Sequence, residues 1–155
     1  MSAISVLLVE DNPADADLTR EAFEANQQEV DLSVVLDGVD AMDFLNKRGD
    51  FSDAADPDLV LLDLNLPRKD GRQVLAEIKT SAALRKIPVV VMSSSEDRKD
   101  ILQSYDLGAN CYISKPVDFK GFRSTMKSLN CFWFATVRLP SGTRQHWPNE
   151  TGDVN

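Results

Sequence analysis

Histidine is almost missing from this sequence, with one residue in 155, and cysteine is scarce, with two. His146 stands in a polar tail with no second ligand or base beside it and reads as solvated. Cys111 and Cys131 have neither metal-ligand spacing nor the density of a disulfide scaffold, so both read as free thiols. Basic residues are outnumbered, 17 Lys and Arg against 25 Asp and Glu, for a net charge of -8. That deficit argues against nucleic acid as a partner, because phosphate binding draws on clustered cations that release counterions. Long apolar runs are missing too. Runs such as residues 60–62 and 89–92 are far too short to span a bilayer, and residues 1–6 lack the charged region of a secretory signal. The expectation is a cytoplasmic protein with no membrane partner, one domain with a short tail, since a single core suffices at this length.

What the chain does have is the run Leu59-Val60-Leu61-Leu62, which ends abruptly in Asp63. Branched apolar residues without polar alternation suit a strand buried on both faces of a parallel sheet. Asp63 then sits at the carboxyl end of that strand, the edge where open α/β sheets bind ligands. Four more strands fit residues 4–9, 32–36, 89–92 and 111–113. Between and after them, helical spacing of apolar residues or a helix-length segment marks residues 13–26, 38–48 and 97–107; a further helix with Val74, Leu75 and Ile78 on its buried stripe follows the turn-rich loop 64–71, and a last helix starts near Asp118. Gly108 suits the left-handed turn after a helix end. Strands alternating with helices imply right-handed parallel crossovers, hence a doubly wound five-stranded α/β fold.

In that arrangement the strand ends bring Glu10 and Asp11, Asp63, Ser93 and Lys115 to one rim. Each residue alone has a plain reading as a helix cap, a loop residue or surface charge. Their coincidence at successive strand ends is what calls for chemistry. Three converging carboxylates repel, and a hard divalent cation relieves them; Mg²⁺ fits, since it binds through few carboxylates and leaves positions for phosphate oxygens. A carboxylate beside such a cation serves as a nucleophile toward a phosphoryl group, with Lys115 and the Ser93 hydroxyl as donors to its oxygens.

Glu10-Asp11, the segment Leu61-Leu62-Asp63-Leu64-Asn65-Leu66-Pro67, Ser93 and Lys115-Pro116, in that order, resemble the receiver domain of two-component response regulators over residues 4–129. The resemblance implies a flavodoxin-like sheet of order 2-1-3-4-5 and Asp63 as the phosphoacceptor. It also implies Mg²⁺ held by Glu10, Asp11, Asp63 and the Asn65 main-chain carbonyl. Lys115 would contact the phosphoryl group, Ser93 and Tyr112 would form the switch pair, and the Lys115-Pro116 bond would be cis. Two residues depart from the commonest pattern: Glu10 replaces an Asp, and Ser93 stands where Thr is frequent.

Residues 130–155 then form a C-terminal arm beyond a receiver domain at 1–129. Its residues Phe132, Trp133, Phe134, Val137 and Leu139 resemble the arm of small stand-alone regulators that partner phytochrome-type histidine kinases, and they imply a homodimer paired through that arm. Two other functions compete. An aspartyl phosphatase of the haloacid dehalogenase type would carry an acid two residues after the nucleophile, where this chain has Asn65. A nucleotide- or flavin-binding module would need a phosphate-cradling loop after the first strand, where this chain has two acids. The expectation is a phosphorylation-dependent signalling protein rather than an enzyme acting on a separate substrate.

Overall fold

The computed structural model describes residues 3–25 and 29–140. In chain order they form β1 (Ile4–Val9), α1 (Pro13–Glu24), β2 (Val30–Val35), α2 (Gly38–Leu45), a 3-10 turn at Gly49–Phe51, β3 (Leu59–Leu62) and α3 (Gly71–Thr80). There follow β4 (Val89–Ser93), α4 (Arg98–Asp106), β5 (Cys111–Ser114), α5 (Phe119–Asn130) and a π-helical segment at Cys131–Thr136. The five strands make one parallel sheet of order β2-β1-β3-β4-β5. The doubly wound architecture expected from the sequence is the one observed.

β3 sits at the centre of the sheet, and all four of its residues are inaccessible to solvent. Successive side chains of a strand point to opposite faces, so the strands feed two cores. Leu7, Val9, Val60 and Leu62 pack with Met42 of α2 and Val74, Leu75 and Ile78 of α3. Val6, Leu8, Leu59 and Leu61 pack on the other face with Phe23 of α1 and Phe122 and Met126 of α5. Truncating one such side chain, as in Leu61→Ala, removes roughly 2–5 kcal/mol of stability.

Each helix start is fixed by an Asx residue that accepts hydrogen bonds from free N–H groups of the first turn: Asn12, Asp37, Asp70, Asp97 and Asp118. Asp70 does so in a capping box with Gln73. These caps aim the helices from the strand ends. At the start of α3 the chain passes so close to β3 that a Cβ on Gly71 would lie 2.2 Å from the Asp63 carbonyl oxygen. Gly108 takes φ +107° after α4, as the sequence suggests.

Several boundaries differ from the sequence reading. α1 ends at Glu24; Asn26, expected as its last residue, lies outside the described residues, as does His146. β2 begins at Val30 because parallel pairing with β1 aligns Ile4 with Val30, and Leu36 is left outside the strand and exposed. α2 stops at Leu45 because Lys47 turns to φ 56°. Among the described residues no peptide bond is cis, so Lys115-Pro116 is trans, contrary to the expectation from resemblance. An X-Pro bond prefers one isomer by only about 0.5–1 kcal/mol, and its sequence context does not decide between them.

The arm also departs from expectation. α5 continues without a break into Cys131–Thr136, and of the five arm residues Phe134 and Leu139 are buried in the chain's own second core. Phe134 packs on Phe23 at 5.7 Å between ring centroids. As an assignment to a dimer contact, these two residues are corrected: their surface is already spent on α1 and the sheet. Phe132 is exposed, and Trp133 and Val137 are half-buried.

Candidate functional site

Glu10, Asp11, Asp63 and Lys115 meet at the carboxyl edge of the sheet because β1, β3 and β5 end there. Glu10 follows β1 and stays buried, its N–H donating to the Val35 carbonyl at 3.0 Å. Asp11 is exposed at the rim. Asp63 follows β3, is 8% exposed, and is tied to β1 by its N–H donating to Val9 O at 3.1 Å. One oxygen of each of Glu10, Asp11 and Asp63 lies within 4.8 Å of the other two. Hard oxygen donors in such a cluster fit a divalent cation with room left for water.

The Lys115 ammonium enters this cluster from the end of β5. It donates to Glu10 Oε1 at 2.6 Å, to Asp15 Oδ2 at 3.0 Å and to Asp63 Oδ2 at 3.3 Å. Burial by itself lowers the pKa of the Lys115 ammonium, but the hydrogen bonds to Glu10 and Asp15 and the charges of Asp63 and Glu10 outweigh it and raise it. Burial pushes the Glu10 carboxyl up to about 7 against the opposing pull of Lys115, with the Asp63 charge adding to the rise. A carboxylate so penalised for its charge is one that a cation relieves, which is the second reason the acidic cluster fits a metal.

The other Asp63 oxygen, Oδ1, accepts the Asn65 N–H at 3.2 Å, so the loop after β3 folds back over the carboxylate. Asn65 itself is exposed at the mouth. Ser93 is fully buried at the end of β4; its hydroxyl oxygen accepts the Ser95 N–H at 3.1 Å, and its carbonyl accepts the Lys115 N–H at 2.7 Å. Tyr112, on β5, packs partly buried on the first core, and its hydroxyl donates to the Ser95 carbonyl at 2.8 Å. Ser93 and Tyr112 are thus linked through Ser95 rather than to each other.

Several polar residues escaped the sequence reading. Asp15 joins Lys115 from the first turn of α1, and its only trace in the sequence is its place four residues after Asp11, one helical turn along the same rim. Asp37 is buried and accepts Arg68 Nη1 at 3.0 Å, tying the loop after β2 to the loop after Asp63. Arg72 donates to Asp100 Oδ1 at 2.9 Å, and Asp100 Oδ2 accepts the Ser95 hydroxyl at 2.7 Å. Nothing in the local pattern marks these partners, which lie 31 and 28 residues apart.

Comparison with known proteins gives a consistent picture. The family model of the response regulator receiver domain matches residues 6–127. The response regulator Rcp1 of Synechocystis sp. is 43% identical over 88% of this chain and 92% of its own length. The crystal structure of the Mn²⁺-bound form of Rcp1 superposes with a TM-score of 0.86 at 42% identity, covering 88% of this chain and 99% of the other. The phosphorylated cyanobacterial phytochrome response regulator RcpA does so with a TM-score of 0.87 at 45% identity, covering 90% and 99%.

Proposed function

Because the chain belongs to the response regulator receiver domain family, we propose that it is a phosphorylation switch in which Asp63 takes a phosphoryl group from a phytochrome-type histidine kinase. The observation that carries this reading is the convergence of Asp63 with Glu10, Asp11 and Lys115. The likeness to RcpA, a phytochrome response regulator, favours that class of donor.

Asp63 offers an oxygen to the phosphorus of the donor phosphohistidine, and the P–N bond breaks as the acyl phosphate forms. Lys115 supplies a cationic donor to the incoming oxygens, and the Ser93 hydroxyl supplies a neutral one once the loop carrying Ser95 shifts. Mg²⁺ held by Glu10, Asp11, Asp63 and the Asn65 carbonyl would neutralise charge that develops on the phosphoryl oxygens. The same residues serve hydrolysis of the acyl phosphate, so the chain catalyses only its own phosphorylation and dephosphorylation. Output runs through contacts with a partner protein or through phosphorelay, in the cytoplasm. Tyr112 reports the state of the Ser93 loop to the outer face of β5.

Pairing of two copies fits the outer side of α5. There Phe132 and Trp133 line a groove of about 650 Å³ with Cys111, Ile113 and Leu129. Sedimentation of wild type against Phe132→Asp tests this: a dimer that dissociates in the variant supports it, and an unchanged dimer or a monomeric wild type overturns it.

The test of the donor is phosphotransfer. A phytochrome-type kinase, autophosphorylated on histidine, should pass its label to the wild-type chain within minutes and leave Asp63→Asn unlabelled. Transfer only from kinases of unrelated sensor classes would overturn the phytochrome assignment.

A further inference from the structure

Lys115 has three N–H donors, and in this structure each is taken by a different carboxylate. Two of these, Glu10 and Asp63, belong to the acidic cluster that fits a cation. Asp15 does not. Its backbone is fixed by the first turn of α1: its N–H donates to the Asn12 side chain at 3.2 Å, and its carbonyl accepts the hydroxyl of buried Thr19 at 2.8 Å. The carboxylate is 30% exposed at the mouth of the site, against 13% for Lys115.

We infer that Asp15 is a positioning residue that restrains Lys115, holding the ammonium toward α1 and limiting how firmly it engages an anion on Asp63. The inference rests on the receiver reading of the site. When a cation draws on Glu10 and Asp63, Asp15 is the one of the three carboxylates left to compete for the ammonium. Its own charge also faces any phosphoryl dianion on Asp63 across the width of one lysine head group. Both effects have the same sign, and together they weaken anion retention by roughly threefold to tenfold, the size of one like charge a few ångströms away in a partly wet site.

The test compares wild type, Asp15→Asn and Asp15→Glu. Trifluoroberyllate with Mg²⁺, a phosphoryl mimic that binds a carboxylate, is titrated into each, with binding followed by the change in intrinsic fluorescence. Asp15→Asn should bind it about threefold to tenfold more tightly, and Asp15→Glu, which keeps the charge, should return toward wild type. Equal or weaker binding by Asp15→Asn would overturn the inference. A second readout needs no metal: acetylation of Lys115 by acetic anhydride, mapped by mass spectrometry, should rise in Asp15→Asn and not in Asp15→Glu. Unchanged labelling would show that Asp15 does not hold the lysine. A wild type that binds no trifluoroberyllate would instead overturn the receiver reading beneath it.

Discussion

The Tyr112 hydroxyl donates to the Ser95 carbonyl at 2.8 Å, and so a side chain from β5 grips the loop that follows Ser93. The same loop is gripped from the other side, because the Ser95 hydroxyl donates to Asp100 Oδ2 and Asp100 in turn accepts Arg72 from α3. The buried Ser93 hydroxyl oxygen accepts the Ser95 N–H. Any movement of Ser93 toward Asp63 must therefore disturb Ser95, and through it Tyr112 and α4.

Removing the Tyr112 hydroxyl should loosen this grip at modest cost. Tyr112→Phe is expected to lower stability by about 1 kcal/mol, the net worth of one partly buried hydrogen bond. Urea unfolding of the variant without phosphorylation checks it, and a midpoint equal to wild type would show that the bond contributes nothing.

The Asp100 link should act on the loop rather than on the core. The Ser95 hydroxyl and the Arg72 guanidinium both hold the Asp100 carboxyl below its ordinary range. Asp100→Asn is expected to speed amide hydrogen exchange at residues 95–99 while exchange in β3 stays as in wild type. Equal exchange in the loop would remove Asp100 from the latch.

Glu10 sets a pH dependence whose sign follows from its burial. Its carboxyl titrates at about 7 in the folded chain against an ordinary 4.5, so the folded state keeps a proton that the unfolded state releases between those values. Stability of the metal-free protein therefore falls as pH rises from 4.5 to 7, by at most roughly 3 kcal/mol from this group, and is flat above. In Glu10→Gln that part of the slope should vanish. Urea unfolding in chelator at pH 5 and pH 7.5 measures it, and identical slopes in the two proteins would contradict the assignment. Since a metal needs the carboxylate, Mg²⁺ affinity should weaken below pH 7, by up to tenfold per unit.

The arm should behave as core. Phe134→Ala empties a site packed on Phe23 and is expected to cost roughly 3 kcal/mol. A cost near that of an exposed residue, such as Phe132→Ala, would mean that the arm is not seated on its own chain.

Much of this was legible in the sequence for reasons that are local. Leu59–Leu62 is a run with no polar interruption, which suits a doubly covered strand and puts the next residue, Asp63, at its carboxyl end. Gly108 marks the end of α4 in the same local way. The residues that escaped are those whose meaning depends on distant partners. Asp15 meets Lys115 across 100 positions, and Arg72 reaches Asp100 across 28. Each of these residues, alone, has the look of ordinary solvated charge. The packing of Phe134 and Leu139 was not legible for a different reason: an apolar tail signals that something covers it, but not whether the cover is the chain's own core or a second copy.

The most direct test of the site is incubation with acetyl phosphate and Mg²⁺, read by intact mass, on wild type and Asp63→Asn. A single alkali-labile phosphoryl adduct that requires Mg²⁺ and forms on wild type alone is the expected result. An adduct that persists in Asp63→Asn, or no adduct on a wild type that binds no Mg²⁺, would contradict Asp63 as the phosphoacceptor.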